Sequence, residues 1–145
     1  MARTLGSLED TQNLAHDLLR YAPPGALLVL AGPLGAGKTT LVQALARALG
    51  SGAQVSSPTY TLVHEYPTPA GVLVHVDAYR LGDADALFEL GLDDYLDRAR
   101  LTAVEWGEGL LGTFPDALVV RLSFHDDARD EVRRAAVTQG DRELV

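Results

Sequence analysis

The chain has 145 residues, of which 47% are hydrophobic and 22% charged, with no cysteine and a formal net charge of −8. This length and balance predict one folded globular domain spanning 1–145, and they exclude a disordered chain, a disulfide scaffold, zinc-thiolate sites and thiol catalysis. The acidic balance argues against a surface that grips nucleic acid unaided. No apolar stretch approaches membrane-spanning length, and Met1-Ala2-Arg3-Thr4-Leu5-Gly6 lacks the apolar core of a signal peptide. The expected location is therefore the cytoplasm, with no membrane partner.

In chain order, Thr4-Leu5 reads as a short first strand. Ser7 fits a helix N-cap, with Asp10 three residues on as a weaker capping box. Leu8, Thr11, Leu14, Ala15, Leu18 and Leu19 then give one apolar helix face through about Tyr21. Thr11 lies on the core side of that face, either as a tolerated helix residue or as a contact near a bound ligand. Pro23-Pro24-Gly25 ends the helix.

Ala26-Leu27-Leu28-Val29-Leu30-Ala31 is a short apolar run suited to a strand buried on both faces of a parallel sheet. Gly32-Pro33-Leu34-Gly35-Ala36-Gly37-Lys38-Thr39 follows, and a helical pattern runs from Thr40 to Leu49. Strand, glycine loop, Lys-Thr and helix form the phosphate-binding P-loop in its expected context. Gly35, Ala36, Gly37, Lys38, Thr39 and Thr40 are the candidate nucleotide-binding run. The helix aims its positive end at the anion. Lys38 would reach the β- and γ-phosphates, and the Thr39 hydroxyl would hold Mg²⁺. Lys38 is the only lysine in the chain. A sequence that otherwise uses arginine keeps lysine where the loop needs a compact ammonium group.

Gly50-Ser51-Gly52 reads as a helix cap and turn. Ser56-Ser57-Pro58-Thr59 is polar and stiffened by proline, Tyr60 to Tyr66 reads as a strand, and Pro67 to Gly71 as a turn. Composition alone makes this an ordinary loop before a hairpin. In a P-loop protein, a threonine such as Thr59 can also sense the γ-phosphate or Mg²⁺.

Val72-Leu73-Val74-His75-Val76-Asp77 is a second buried strand, with a carboxylate at its C-terminal end, where ligands of open α/β sheets bind. Asp77 suits a Walker-B-like acid facing Mg²⁺ through water. His75 reads as a packed or hydrogen-bonded histidine rather than a metal ligand, and Tyr79-Arg80 as a loop-positioning pair. Gly82 to Asp97 is acidic, and its leucines predict two short helices separated by Gly91, with a solvated face or a protein-docking surface.

Leu101-Thr102-Ala103-Val104 is another buried strand, leading to Glu105-Trp106. Glu105 could complete the Mg²⁺ shell or orient an attacking water. Trp106 reads as a core residue or as a contact near the site. Ala117 to Ser123 and Val132 to Thr138 predict an antiparallel hairpin at the sheet edge, with Arg129, Arg133 and Arg134 as undecided nucleotide contacts. The predicted fold is α/β of the P-loop NTPase type: a central, mostly parallel sheet flanked by helices, with antiparallel C-terminal edge strands.

Guanine recognition would need an Asn-Lys-x-Asp element, and no second lysine exists, so ATP is the expected nucleotide. A small-molecule kinase and a passive nucleotide-binding module are the alternatives. The first lacks a segment for an arginine-bearing lid, and the second gives Glu105 no role.

The ordered set Gly32 to Thr40, Ser57-Pro58-Thr59-Tyr60-Thr61-Leu62, His75-Val76-Asp77-Ala78-Tyr79-Arg80-Leu81 and Val104-Glu105-Trp106 resembles the TsaE (YjeE) family over nearly the whole chain. Ala78 stands where that family commonly has leucine, and Gly107 where proline often follows the Glu-Trp pair. The resemblance implies an ATPase that needs Mg²⁺ and works with TsaD and TsaB in threonylcarbamoyl modification of the adenosine beside the tRNA anticodon. The tRNA would be met only through that complex. The resemblance also gives Lys38 and Thr39 their P-loop roles, puts Thr59 in a switch loop, and assigns Asp77 and Glu105 to Mg²⁺ and hydrolysis. It sets Trp106 near the nucleotide or the partner face.

Overall fold

The computed structural model of the chain describes residues 2–33, 35–52, 62–79, 84–126 and 129–144, without the side chains of residues 2, 125, 126 and 129–131. The elements in order are β1 (Ala2–Leu5), α1 (Leu8–Tyr21), β2 (Ala26–Ala31), α2 (Lys38–Ala48), β3 (Val63–Thr68) and β4 (Gly71–Asp77). Then come α3 (Ala84–Leu90), α4 (Leu92–Arg98), β5 (Leu101–Glu105), a 3₁₀ turn (Glu108–Leu110), β6 (Leu118–Asp126), β7 (Arg129–Gln139) and β8 (Arg142–Leu144).

Among the described residues the strands form one sheet in the order β1-β7-β6-β2-β5-β4-β3, with β8 also paired to β7. β6, β2, β5 and β4 are parallel neighbours. Both flanks are antiparallel: β3 pairs with β4 on one side, and β7 pairs with β6, β1 and β8 on the other. The α/β reading therefore holds, with a parallel centre. The C-terminal hairpin is not the edge itself, because β6 adjoins the P-loop strand and β1 closes the sheet outside β7.

The apolar run of β2 is buried on both faces, as parallel strands covered by helices require. Leu28 and Leu30 join a core with Leu14 and Leu18 of α1, Leu41 and Leu45 of α2, and Val120. Leu27 and Val29 face the opposite way, onto Leu87 of α3, Leu92 of α4, Val104 and Leu110. α1 and α2 thus cover one face, and α3, α4 and the 3₁₀ turn cover the other.

Local chemistry fixes the helix ends. The Ser7 hydroxyl accepts from Asp10 N–H at 3.1 Å, and the Asp10 carboxylate accepts from Gly6 N–H at 2.8 Å. The reciprocal bond therefore falls one residue before the cap itself. α2 ends in a Schellman pair, with Ser51 N–H on the Ala46 carbonyl and Gly50 N–H on that of Arg47. The Gln12 amide donates to the Ala44 carbonyl at 2.9 Å and ties α1 to α2.

Two expectations shift. Of the strand expected over Tyr60 to Tyr66, residues 60 and 61 lie outside the described residues; β3 spans Val63–Thr68 and runs through Pro67, where the sequence predicts a turn. An edge strand tolerates proline because one row of its N–H groups has no ladder partner. The turn contracts to Pro69-Ala70, where the Thr68 hydroxyl donates to the Gly71 carbonyl at 2.5 Å and accepts from Ala70 N–H. The last strand is longer than Val132 to Thr138, and β8, after the turn at Gly140, was not anticipated.

Candidate nucleotide-binding site

β2 delivers the chain to Gly32, whose φ of +143° suits glycine. A Cβ there would lie 2.4 Å from the Leu122 carbonyl oxygen of β6. The first loop glycine is therefore required by strand packing. Gly37, at φ +103°, is the N-cap of α2 and supplies no side-chain cap. The first amide groups of α2 are thus left for an anion to meet.

Lys38 opens α2 and is 4% exposed. Its ammonium donates to the Gly32 carbonyl at 2.5 Å and sits 3.5 Å from the centre of the Trp106 ring. Burial lowers the pKa of Lys38 below its ordinary 10.5, while the carboxylates of Glu105, Glu108 and Asp77 pull it back up. Glu108, just beyond Gly107, was not singled out from the sequence. Only the spatial return of the 3₁₀ turn toward Lys38 makes it part of the site.

β4 and β5 place Asp77 and Glu105 opposite each other in register. Both lie at the C-terminal ends of parallel strands, and both line a cleft of about 250 Å³ with Gly35, Gly37, Lys38, Thr39, Thr40 and Trp106. The Asp77 carboxylate accepts from Tyr79 N–H at 3.0 Å. Buried Glu105 meets the Nε2 of buried His75 at 2.5 Å. His75 is thus hydrogen-bonded, as its place in an apolar strand suggested. Trp106 continues the strand pairing by donating its N–H to the Leu30 carbonyl, yet its φ is +62°. Its ring packs against Tyr79 with centroids 5.0 Å apart.

A second cleft of about 280 Å³ lies beside the loop, lined by Leu5, Ser7, Leu8, Thr11, Leu122, Arg133 and the loop's Gly35, Ala36, Gly37 and Thr40. Thr11 is therefore brought to the loop, with its hydroxyl on the Ser7 carbonyl at 3.4 Å. Among the described residues, Arg133 reaches the loop. Its Nε and Nη2 donate to the Gly35 carbonyl at 3.3 and 3.2 Å, and its guanidinium lies 4.4 Å from the Phe124 ring centre. Arg134, its neighbour on an alternating strand, is exposed. Thr59, Arg80 and the Arg129 side chain lie outside the described residues.

No group of three or more His, Cys, Asp or Glu side chains among the described residues could hold a metal ion. The side chains with oxygen donors that line the first cleft are Thr39, Thr40, Asp77 and Glu105. A sparse, all-oxygen set suits Mg²⁺, which keeps several waters and takes its remaining ligands from substrate phosphates.

The family model described as "Threonylcarbamoyl adenosine biosynthesis protein TsaE" matches residues 5–135. The chain belongs to the TsaE family. It is 39% identical over 121 residues to the TsaE protein of Haemophilus influenzae, covering 82% of this chain and 77% of that one. It is 38% identical over 131 residues to that of Aquifex aeolicus, covering 89% and 91% respectively. Both relatives are named tRNA threonylcarbamoyladenosine biosynthesis proteins. A crystal structure of Bacillus subtilis YdiB superposes with a TM-score of 0.76 at 29% identity, covering 97% of this chain and 85% of that one. The P-loop fold and the TsaE membership together point to nucleotide binding.

Of the two departures from the TsaE pattern, Gly107 has a local explanation and Ala78 has none in the structure. Ala78 is buried and donates its N–H to the Glu105 carbonyl at 2.9 Å. At Gly107 a Cβ would approach Val104 Cγ1 to 2.8 Å, so any larger residue needs Val104 to give way.

Proposed function

We propose that the chain is a single P-loop NTPase domain that hydrolyses ATP with Mg²⁺, slowly alone and faster in a complex with TsaD- and TsaB-type subunits. Its role would be threonylcarbamoyl modification of the adenosine beside the tRNA anticodon. The observation that carries this reading is the convergence of Lys38, Asp77 and Glu105 on one cleft at the C-terminal ends of β2, β4 and β5. A passive cradle needs the lysine but has no use for two register-paired carboxylates.

Thr39, Asp77 and Glu105 are the residues that would hold Mg²⁺, which when bound neutralises charge on the β- and γ-phosphates. Lys38 exchanges its contact with the Gly32 carbonyl for phosphate oxygens, and the uncapped amides of α2 meet the same anion. The nucleoside half of ATP fits the second cleft, which shares Gly35, Gly37 and Thr40 with the first. There Arg133 forms part of the wall, beside the Gly35 carbonyl that it binds. The acidic chain would reach tRNA through its partners rather than directly. Among the described residues no helix is long and apolar enough to cross a membrane.

The test is ATP turnover with and without a TsaD–TsaB pair, for the wild type and Glu105→Ala. Stimulated turnover in the wild type and its loss in the variant, by about 100-fold or more, are expected for a group acting on developing charge. Phosphate transfer to a small-molecule acceptor without partner stimulation would favour a kinase. Tight ATP binding with no turnover even in the complex would favour a passive module.

A further inference from the structure

We propose that His75 is a positioning residue for Glu105, holding one carboxylate oxygen so that the other faces the nucleotide cleft. The inference rests on the Mg²⁺-ATP reading above and adds to it a residue outside the cleft.

His75 is fully buried, and it shares a sheet face with Glu105, because Asp77, two residues after it, is the register partner of Glu105. Its Nε2 meets Glu105 Oε2 at 2.5 Å. An ionised carboxylate can only accept, so the network assigns the proton to Nε2. Nδ1 has no partner among the described residues. Within those residues the ring therefore serves Glu105 alone. Glu105 is itself 4% exposed, so an unanchored carboxylate there would be a desolvated group with several rotamers and no fixed direction. With Oε2 taken, the remaining oxygen has one orientation relative to Asp77 and Thr39. Such outer partners of a carboxylate ligand typically matter by roughly 10- to 100-fold in metal affinity or activity.

A polar pair that merely supports the sheet would behave differently, and side-chain reach separates the two cases. A glutamine amide can place its nitrogen near the position of Nε2, whereas an asparagine amide reaches only the position of Nδ1. His75→Gln and His75→Asn are therefore compared with the wild type, and far-UV circular dichroism melts confirm that each variant folds. Trp106, the only tryptophan, reports nucleotide binding by its fluorescence. ADP is titrated in EDTA and then across a range of Mg²⁺ concentrations.

Metal-free ADP affinity is expected to stay within about twofold in both variants, because the P-loop is untouched. The Mg²⁺ concentration needed for tightening should rise roughly 10-fold or more in His75→Asn and be largely restored in His75→Gln. Equal Mg²⁺ dependence in all three proteins would overturn the inference. So would equal damage in both variants, or a loss of affinity that is the same with and without Mg²⁺. If the wild type itself shows no Mg²⁺-dependent tightening, the Mg²⁺-ATP reading fails and takes this inference with it. If the wild type responds and both variants match it, only the role of His75 is lost.

Discussion

Gly32→Ala isolates what the first P-loop glycine does. Its backbone φ of +143° is one that L-residues rarely adopt, at a cost of roughly 1–3 kcal/mol. The new Cβ would also sit 2.4 Å from the Leu122 carbonyl oxygen. Relieving that overlap means moving β6 away from β2, an overpacking cost of about 1–3 kcal/mol. The combined loss of ~2–6 kcal/mol is a large part of the ~5–15 kcal/mol that holds a typical domain folded. Gly35→Ala is the control. Gly35 has φ +79° and nothing within 4 Å of a Cβ, so only a left-handed backbone penalty of about 1–2 kcal/mol applies. Urea melts followed by Trp106 fluorescence give both values. Gly32→Ala is expected to lose several times more stability than Gly35→Ala, and its thermal midpoint should fall by roughly 10 °C. A Gly32→Ala protein within about 1 kcal/mol of the wild type, or a Gly35→Ala protein that is the less stable of the two, would refute the packing argument.

Three other outcomes are expected. Arg133→Ala removes the contacts to the Gly35 carbonyl and should weaken ADP binding by roughly 3- to 10-fold, near the worth of one hydrogen bond, with little change in the melt. Calorimetric titration measures the first and a thermal scan the second. Burial lowers the pKa of Lys38 from 10.5, so the unfolded chain binds the extra proton more readily and the folded chain carries a penalty below the lowered pKa. That penalty disappears as pH rises from the lowered value to 10.5. The stability advantage of Lys38→Met over the wild type should therefore be largest near neutral pH and shrink on going alkaline, and urea melts in which the gap widens instead would contradict the sign. Ser7→Ala deletes the side-chain acceptor of Asp10 N–H and should cost about 1 kcal/mol in a denaturant melt.

What the sequence made legible was local chemistry. The P-loop, the Ser7 cap, the Gly50 terminus and the carboxylates that end β4 and β5 each announce themselves within a few residues. What it hid depends on strand order. Arg133 could not be separated from Arg134 until β7 was seen beside β6, where register pairs Phe124 with Arg133. The hydrogen bond from His75 to Glu105 joins two elements whose adjacency no periodicity encodes. Glu108 reaches Lys38 only through the 3₁₀ turn. β8 has three residues, too few for alternation to register, and Pro67 misplaced the β3 turn because an edge strand accepts what a central strand would reject.

β1, on the Arg133 side of the sheet, is made long before the strand it pairs with. β1 pairs with β7, in the register of Ala2 with Ala136 and Leu5 with Arg133. Leu5, Thr11 and Arg133 line one cleft, so that cleft is stitched together from segments far apart in the sequence. During synthesis the phosphate loop and its helix emerge before β7, so β1 must wait for a strand made much later before it finds its neighbour. A ribosome-bound fragment would display a phosphate cradle with half of the adjoining wall missing. The ability to retain a nucleotide would then arrive only once β7 has been made.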